Sequence, residues 1–329
     1  MVNPVFLDDM KIHLPNSAFL GNIDTFIRSF DSSAPTSLNI TANDKWISVH
    51  PVVLSLIASL GLTIKPENII CQPLMAKSRH YFERMGLFRL LGISSGIQVV
   101  AHESAGRFIP LTQINNSGQL TNFITEMVPL LHLEPSQADP IKYIVSELVR
   151  NVFEHSGSKY GAILCAQYYA KSNSIRIGIA DAGVGIKRTI NQSWPAKTDL
   201  EAIKLALIPG ITGTTRKEGG TEQNAGAGLF FIKSIAKVNR DFFMVYSGNA
   251  MYKLLKTESS KQVRLYANPD KDKHSENEGL PRWQGTVVGV DINLDHKSEF
   301  SALLDQIRKA YAEGVKERKR ARYKEAKFI

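Results

Sequence analysis

The stretch SELVRNVFEHSGSKYGAI (146–163) spaces Glu147, Asn151 and His155 four residues apart. In a helix, where each residue turns about 100°, Asn151 falls about 40° from Glu147, Glu154 about −20° and His155 about 80°. Ile141, Val145, Leu148 and Val152 form the adjoining apolar face. A polar stripe of this kind is either the solvated side of an amphipathic helix or one wall of a nucleotide site. Asn151 favours the second reading, because asparagine is a poor helix former at mid-helix and here it stands between two potential catalytic carboxylates.

Two further stretches point the same way. SIRIGIAD (174–181) reads as a strand ending on Asp181 and runs into AGVGI. Gly183 and Gly185 there would let the backbone come close to a ligand. Taken with the helix, Asp181 could accept a hydrogen bond from an adenine amino group while the glycines leave room for a flat base. In TEQNAGAGLFFIKSIAK (221–237), Gly226 and Gly228 open a helix. Its first amides would be free to bind phosphate, helped by the helix dipole. Seen singly, each stretch is also an ordinary glycine-rich turn.

The elements that must position these residues follow from periodicity and punctuation. A helix is expected from about Asp139-Pro140 to His155, a good cap and first turn. Strands are expected at 160–169, 174–181, 241–249, 262–267 and 285–294, and helices at 198–208 and 228–238 flank a polar Gly/Thr-rich loop at 209–227. Upstream, a helix over 120–133 is expected to kink at Pro129. The first hundred residues alternate strands (36–41, 68–74) with helices (50–61, 78–92) that end on Gly61 and Gly92, the rhythm of a small α/β layer with parallel or mixed strands. Residues 93–116, rich in Gly, Ser and Asn around one short strand, mark the boundary, and the charged stretch 269–279 reads as an exposed hairpin end. The expected organisation is α/β: a small domain at 1–105, a linker at 106–117, a second domain at 118–296 and a basic C-terminal helix at 297–329.

With 43% hydrophobic and 22% charged residues in 329, the composition is that of a globular protein and excludes a disordered or fibrous one. Cys71 and Cys165, each in an apolar run, make neither a disulfide framework nor a zinc site, and a reducing, cytoplasmic compartment is expected. The N-terminus lacks the pattern of a signal peptide, and no apolar run approaches a membrane span. The net charge of +9 is concentrated at 308–329, where nine Lys/Arg face three Asp/Glu. That tail is a solvated helix end or a contact for nucleic acid, anionic lipid or an acidic partner.

In order, the chain presents Glu147-x3-Asn151-x3-His155, Asp181-x-Gly183-x-Gly185, a long polar loop, Gly226-x-Gly228, and Gly285-Thr286 opening an apolar strand. This order resembles the GHKL superfamily of ATP-binding domains, which includes histidine kinases, anti-sigma-factor serine kinases, type II topoisomerase ATPases, MutL-type proteins and heat-shock chaperones. The resemblance covers roughly residues 118–295. It implies a Bergerat-type α/β sandwich binding ATP and Mg²⁺. Asn151 would ligate the Mg²⁺ that bridges the phosphates, and Glu147 would orient or deprotonate the attacking nucleophile. Asp181 would read adenine, supported by Thr286 directly or through water, and Gly183 and Gly185 would shape the base pocket. Gly226 and Gly228 would contact phosphate. His155 would hold the helix end or approach phosphate. Residues 209–225, with Thr212 among the nucleotide contacts, would form a mobile lid; Arg216 and Lys217 in it are phosphate contacts or exposed loop charges.

The resemblance also narrows the branch. A sensor histidine kinase needs a phosphoacceptor on a dimerising helix, and His50, His102 and His132 are poorly placed for that. Clamp-type ATPases continue into a second large domain, for which the residues after 294 leave little room. The N-terminal strand–helix rhythm is similar to STAS-like domains, the partners of GHKL serine kinases. The expectation is a Mg-ATP-binding regulator that hydrolyses ATP or phosphorylates a protein serine or threonine, with a protein partner and room for a homodimer. Ser48, Ser55 and Ser59 are conceivable acceptors or ordinary packing serines. Two other readings stay open: a non-hydrolysing ATP-gated switch, and an ATPase subunit of a nucleic-acid-associated machine.

Overall fold

The computed structural model describes residues 9–29, 35–97, 108–127, 131, 133–216, 226–258, 260–295 and 300–325. It is a mixed α/β structure built on two sheets. The chain begins β1 (Asp9–Leu14), α1 (Ile23–Arg28), β2 (Ser37–Ala42), α2 (Pro51–Gly61) and β3 (Ile69–Cys71). The three strands pair in parallel in the order β1-β2-β3, as helical crossovers require. Next come α3 (His80–Arg84) and α4 (Leu87–Leu91). They replace the single helix expected over 78–92, because Gly86 takes a left-handed φ of 76° and breaks it.

From there the order is β4 (Phe108–Ile114), α5 (Ser117–Asn122), α6 (Pro135–Asn151), β5 (Ala162–Tyr169), β6 (Ser174–Asp181), α7 (Ile186–Ile190), α8 (Asp199–Ala206), α9 (Gly228–Val238), β7 (Phe243–Gly248), β8 (Ala250–Leu254), β9 (His274–Asn277), β10 (Trp283–Asn293) and α10 (Phe300–Glu325). The seven strands form one antiparallel sheet ordered β4-β5-β6-β10-β7-β8-β9. β4 lies within the segment expected as a linker and forms one edge of this sheet.

Other differences have local causes. α6 starts at Pro135, where Glu134 and Gln137 form a reciprocal capping box, so Pro140 sits inside the helix rather than at its first turn. The helix expected over 120–133 is α5 followed by a π-helical turn, Phe123–Met127; Pro129, His102 and His132 lie outside the described residues. Residues 262–267 form no strand, and the expected hairpin end at 269–279 supplies β9, which pairs with β8.

Both faces of the large sheet are buried. α6, α8, α9 and α10 cover one face, and Ile175, Ile177 and Ile179 of β6 point into that core. The alternate residues Ile163, Cys165 and Ala180 join the opposite core together with α2 and the rest of the N-terminal region. α2 seats directly on the strands: a Cβ at Gly178 would lie 2.2 Å from Val52 N, and Ser55 Oγ donates to Gly178 O at 2.9 Å. Buried His50 caps α2 by accepting from Val52 N (3.0 Å) through Nδ1 and donates from Nε2 to Asp291 of β10 (2.9 Å). Burial lowers its pKa, which keeps it in the neutral form this geometry needs. Ser55 and Ser59 are fully buried, so they are packing serines rather than accessible phosphoacceptors. No helix among the described residues is long and apolar enough to cross a membrane.

The docking of α2 yields a first prediction. Gly178→Ala forces β6 and α2 apart and should lower unfolding free energy by about 1–3 kcal/mol, as overpacking does. Urea titration followed by circular dichroism measures it; an unchanged midpoint would mean that α2 does not sit on β6.

Candidate functional site

Strand parity decides where the expected binding residues point. Ile175, Ile177 and Ile179 face the helical core, so Asp181, of the same parity, emerges on that face at the end of β6. Thr286 of β10 is its direct cross-strand partner. The side chain of Asp181 is only 3% exposed. Its Oδ1 accepts from Gly183 N at 2.8 Å, and its carboxylate also accepts from Thr286 N–H. No cation among the described residues supports it. Burial therefore raises its pKa to about 7, against the opposing pull of those two backbone donors.

The backbone around Asp181 is held by side chains that the sequence did not single out. Trp283 Nε1 donates to Asp181 O (3.2 Å) and Gln284 Nε2 to Gly183 O (2.6 Å). Ser247 Oγ accepts from Ile186 N (3.0 Å) and donates to Gly285 O (2.6 Å), tying the start of α7 to β10. Gly285 has φ of 120° and passes so close that a Cβ would lie 2.1 Å from Asp181 O, so no larger residue fits.

α6 forms the facing wall. Ile144, Val145, Leu148 and Val149 are buried against the sheet, and Glu147 and Asn151 stand half-buried on the adjoining stripe. The helix then widens into a π-helical turn, Val152–Ser156, that carries Glu154 and His155. His155 therefore departs from the simple α-helical angle expected for it; π turns of this kind recur at functional sites. The turn is pinned where Val184 N donates to Ser156 O (2.7 Å) and Thr189 Oγ1 to His155 O (3.2 Å).

The third wall is the start of α9. A Cβ at Gly228 would lie 3.0 Å from Glu147 Oε2 and 3.3 Å from Asn151 Nδ2, so a side chain there would crowd both. The amides of the first turn have no partner within the helix. Gly226 O accepts from Gly210 N (2.9 Å). The segment before it is also fastened: buried Thr212 accepts from Trp194 Nε1 through its carbonyl (3.1 Å), and Ser193 Oγ donates to Gly213 O (2.7 Å). Arg216 is exposed. The remainder of the expected lid, 217–225 with Lys217, lies outside the described residues.

Together these walls enclose a cleft of about 300 Å³. Glu147, Asn151, His155, Asp181, Gly185, Thr212, Gly226, Gly228 and Thr286 all line it. Gly183 does not; it sits behind Asp181, where a Cβ would lie 2.2 Å from Ser156 O. Tyr143, Thr189, Ile190, Ile211 and Val288 are among the other lining residues. Of these, Tyr143 was findable, since it precedes Glu147 by one helical turn; the others depend on long-range packing.

Charge in the cleft is uneven. Burial raises the pKa of Glu147, opposed by Arg150, whose Nη1 lies 3.2 Å from Oε1, and reinforced by Glu154. Burial lowers that of His155, with Glu154 opposing. Elsewhere, Asp270, His274 and Glu276 are close enough to share a cation. The ammonium of Lys204 already lies 2.6 Å from Asp270 and 2.8 Å from Glu276, and this group does not line the cleft.

The raised pKa of Asp181 makes a pH prediction. Below about pH 4 the group is neutral in both folded and unfolded chains. As pH rises from there to about 7, only the unfolded chain ionises, so stability is lost across that window and levels off above it. Asp181→Asn should remove a penalty on the order of a few kcal/mol at pH 8 and little at pH 4. Thermal unfolding of both proteins across that range tests it: equal Tm differences at the two ends would show that the carboxylate is not desolvated. The chain matches no family model and no curated protein sequence, so its functional reading rests on this cleft.

Proposed function

We propose that the cleft binds ATP with Mg²⁺ in the manner of the GHKL superfamily. In this reading the chain is an ATPase or serine/threonine protein kinase of that type, not a histidine kinase. One observation carries it: nine residues singled out for a nucleotide site, spread from 147 to 286, line one cleft. The antiparallel sheet, with α6 and α9 on the cleft side, suits a Bergerat-type sandwich. The parallel β1–β3 unit is read as a STAS-like regulatory element.

The residues suit the ligands. A carboxylate has about four lone-pair sites; Asp181 uses some of them on Gly183 and Thr286 and keeps capacity for an N–H of an adenine amino group. Ile179, Ile186, Ile190 and Val288 offer apolar surface for a flat base. Asn151 presents a neutral amide oxygen, a hard donor suited to Mg²⁺ alongside phosphate oxygens. The first amides of α9, which have no partner within the helix, lie beside Asn151 and suit phosphate. Bound Mg²⁺ would supply charge neutralisation at the phosphates.

Glu147 is the group that acts on the nucleophile. Its carboxylate lies beside the start of α9, and its raised pKa makes it a stronger base than an exposed glutamate. Arg150 holds one of its oxygens, leaving the other directed toward Gly228. A water nucleophile gives hydrolysis; a protein hydroxyl gives phosphotransfer. His155, neutral because of burial, donates or accepts a hydrogen bond at the cleft wall rather than supplying a fixed charge.

Purified protein with γ-labelled ATP separates the outcomes. Glu147→Gln should keep ATP affinity and lose phosphate release or transfer by about 10²–10⁴-fold, the scale of general-base catalysis. The activity of the unmodified chain should rise with pH through an acidic limb above the range of an ordinary glutamate. Asp181→Asn should weaken ATP binding by about 10–100-fold, the scale of a hydrogen bond to a charged group. Calorimetric affinities unchanged in that variant would sink the adenine assignment; tight binding without release or transfer in the unmodified chain would make it an ATP-gated switch.

A further inference from the structure

The lining of the cleft is short of positive charge. Glu147, Glu154 and Asp181 bring carboxylates to it, and Arg150 is the one Lys or Arg among its described lining residues. Depth orders these groups: Asp181 lies at the buried end, the Glu147 side chain is 20% exposed and that of Arg150 56%. On α6, where each residue turns about 100°, Glu147 stands between Asn151 at about 40° and Arg150 at about −60°. Arg150 Nη1 donates to Glu147 Oε1 at 3.2 Å, while Oε2 of the same carboxylate faces the start of α9.

We propose that Arg150 is the γ-phosphate contact of this cleft: it exchanges Glu147 for the terminal phosphate of ATP and makes the site select a nucleoside triphosphate over a diphosphate. This rests on the ATP reading above. A nucleotide whose base lies against Asp181 runs its phosphates past the start of α9 toward the rim. The last phosphate is the one that reaches the exposed side of Glu147, where Arg150 stands. ATP carries one more negative charge than ADP, and a lining with three carboxylates repels that extra charge. Mg²⁺ held at Asn151 serves both nucleotides, so it does not tell them apart. Arg150 is placed to do so.

The exchange is favoured by the chemistry of the two partners. The Arg150–Glu147 contact is a solvent-accessible i,i+3 pair, a kind that contributes little to stability, so little is lost when it opens. A guanidinium is a planar fork that matches phosphate oxygens two at a time, where here one of its nitrogens meets one carboxylate oxygen. The exposure of Arg150 leaves room for the change of rotamer. The exchange also acts on Glu147. Without a γ-phosphate, Oε1 is taken by Arg150; with one, both oxygens of Glu147 are available to the nucleophile. The base is therefore held beside a diphosphate and released beside a triphosphate.

Calorimetry on the full chain with Mg²⁺ tests this, using ADP and the non-hydrolysable β,γ-imido analogue of ATP. The unmodified chain should bind the analogue at least about tenfold more tightly than ADP, as an added charged hydrogen bond requires. In R150Q the analogue should weaken by about 10–100-fold while ADP affinity stays within about twofold. Arg150 is exposed, so the unfolding midpoint of R150Q should match that of the unmodified chain. An analogue-to-ADP ratio unchanged by R150Q would overturn the proposal and assign Arg150 to holding Glu147 alone. Equal weakening of both nucleotides would overturn it too. An unmodified chain that binds ADP and the analogue equally would overturn it while leaving the nucleotide site standing. Failure to bind either nucleotide would remove the ATP reading, and this inference with it.

Discussion

Asp181 is a buried carboxylate whose partners are backbone N–H groups and not a cation, and much of the surrounding structure serves to hold it there. Leaving such a group desolvated costs stability, as its pKa near 7 reflects. Strand β10 must lie opposite it to supply Thr286 N–H, which requires Gly285 at a backbone conformation and separation that no side chain allows. Trp283, Gln284 and Ser247 then fix the carbonyls on either side. A leucine or valine at position 181 would fill the space at lower cost. The geometry makes physical sense when the carboxylate faces a ligand that brings donors of its own.

The floor beneath this group is rigid for a separate reason. β6 and β10 sit in the middle of the sheet and are packed from both sides. Ile177, Ile179, Val288 and Val290 belong to the helical core, whereas Ala180 and Val287 belong to the core shared with α2. The close seating of α2 on Gly178 and the His50–Asp291 bond, which ties the cap of α2 to β10, leave little freedom on the second side. The N-terminal residues thus do more than precede the site. They form the backing of the cleft floor.

The site was more legible in the sequence than the fold. Asp181 ends a strand whose alternation is local, and Gly228 opens a helix with strong periodicity; both elements occur at the bounds their patterns implied. Glu147, Asn151 and His155 were legible as a stripe even though α6 starts four residues early and ends in a π turn. What escaped was set by distant partners. HSEN carries no strand signal of its own and becomes β9 because β8 offers it an edge, while the alternating QVRLYA finds none. β1, masked by its polar residues, exists because β2 pairs with it in parallel. The split of 78–92 turned on one backbone angle at Gly86, which the apolar spacing of its neighbours concealed.

The walls of the cleft differ from its floor in what holds them. The start of α9 and residues 209–213 meet through Gly210 N–Gly226 O and lean on Trp194 and Ser193, with Ile211, Phe230 and Phe231 packed into the helical core on one side. A region packed from one side has fewer apolar contacts to break on opening than strands packed from both. A ligand that orders the amides of α9 therefore acts on the segment beginning at Pro209 before it disturbs β6 or β10. Pro209 is also where Arg318 fastens α10. An interaction that displaced Arg318 from Pro209 would pull on the same segment from the other side. If binding in the cleft tightens or loosens that attachment, linkage requires that such an interaction change affinity in the cleft by the same factor.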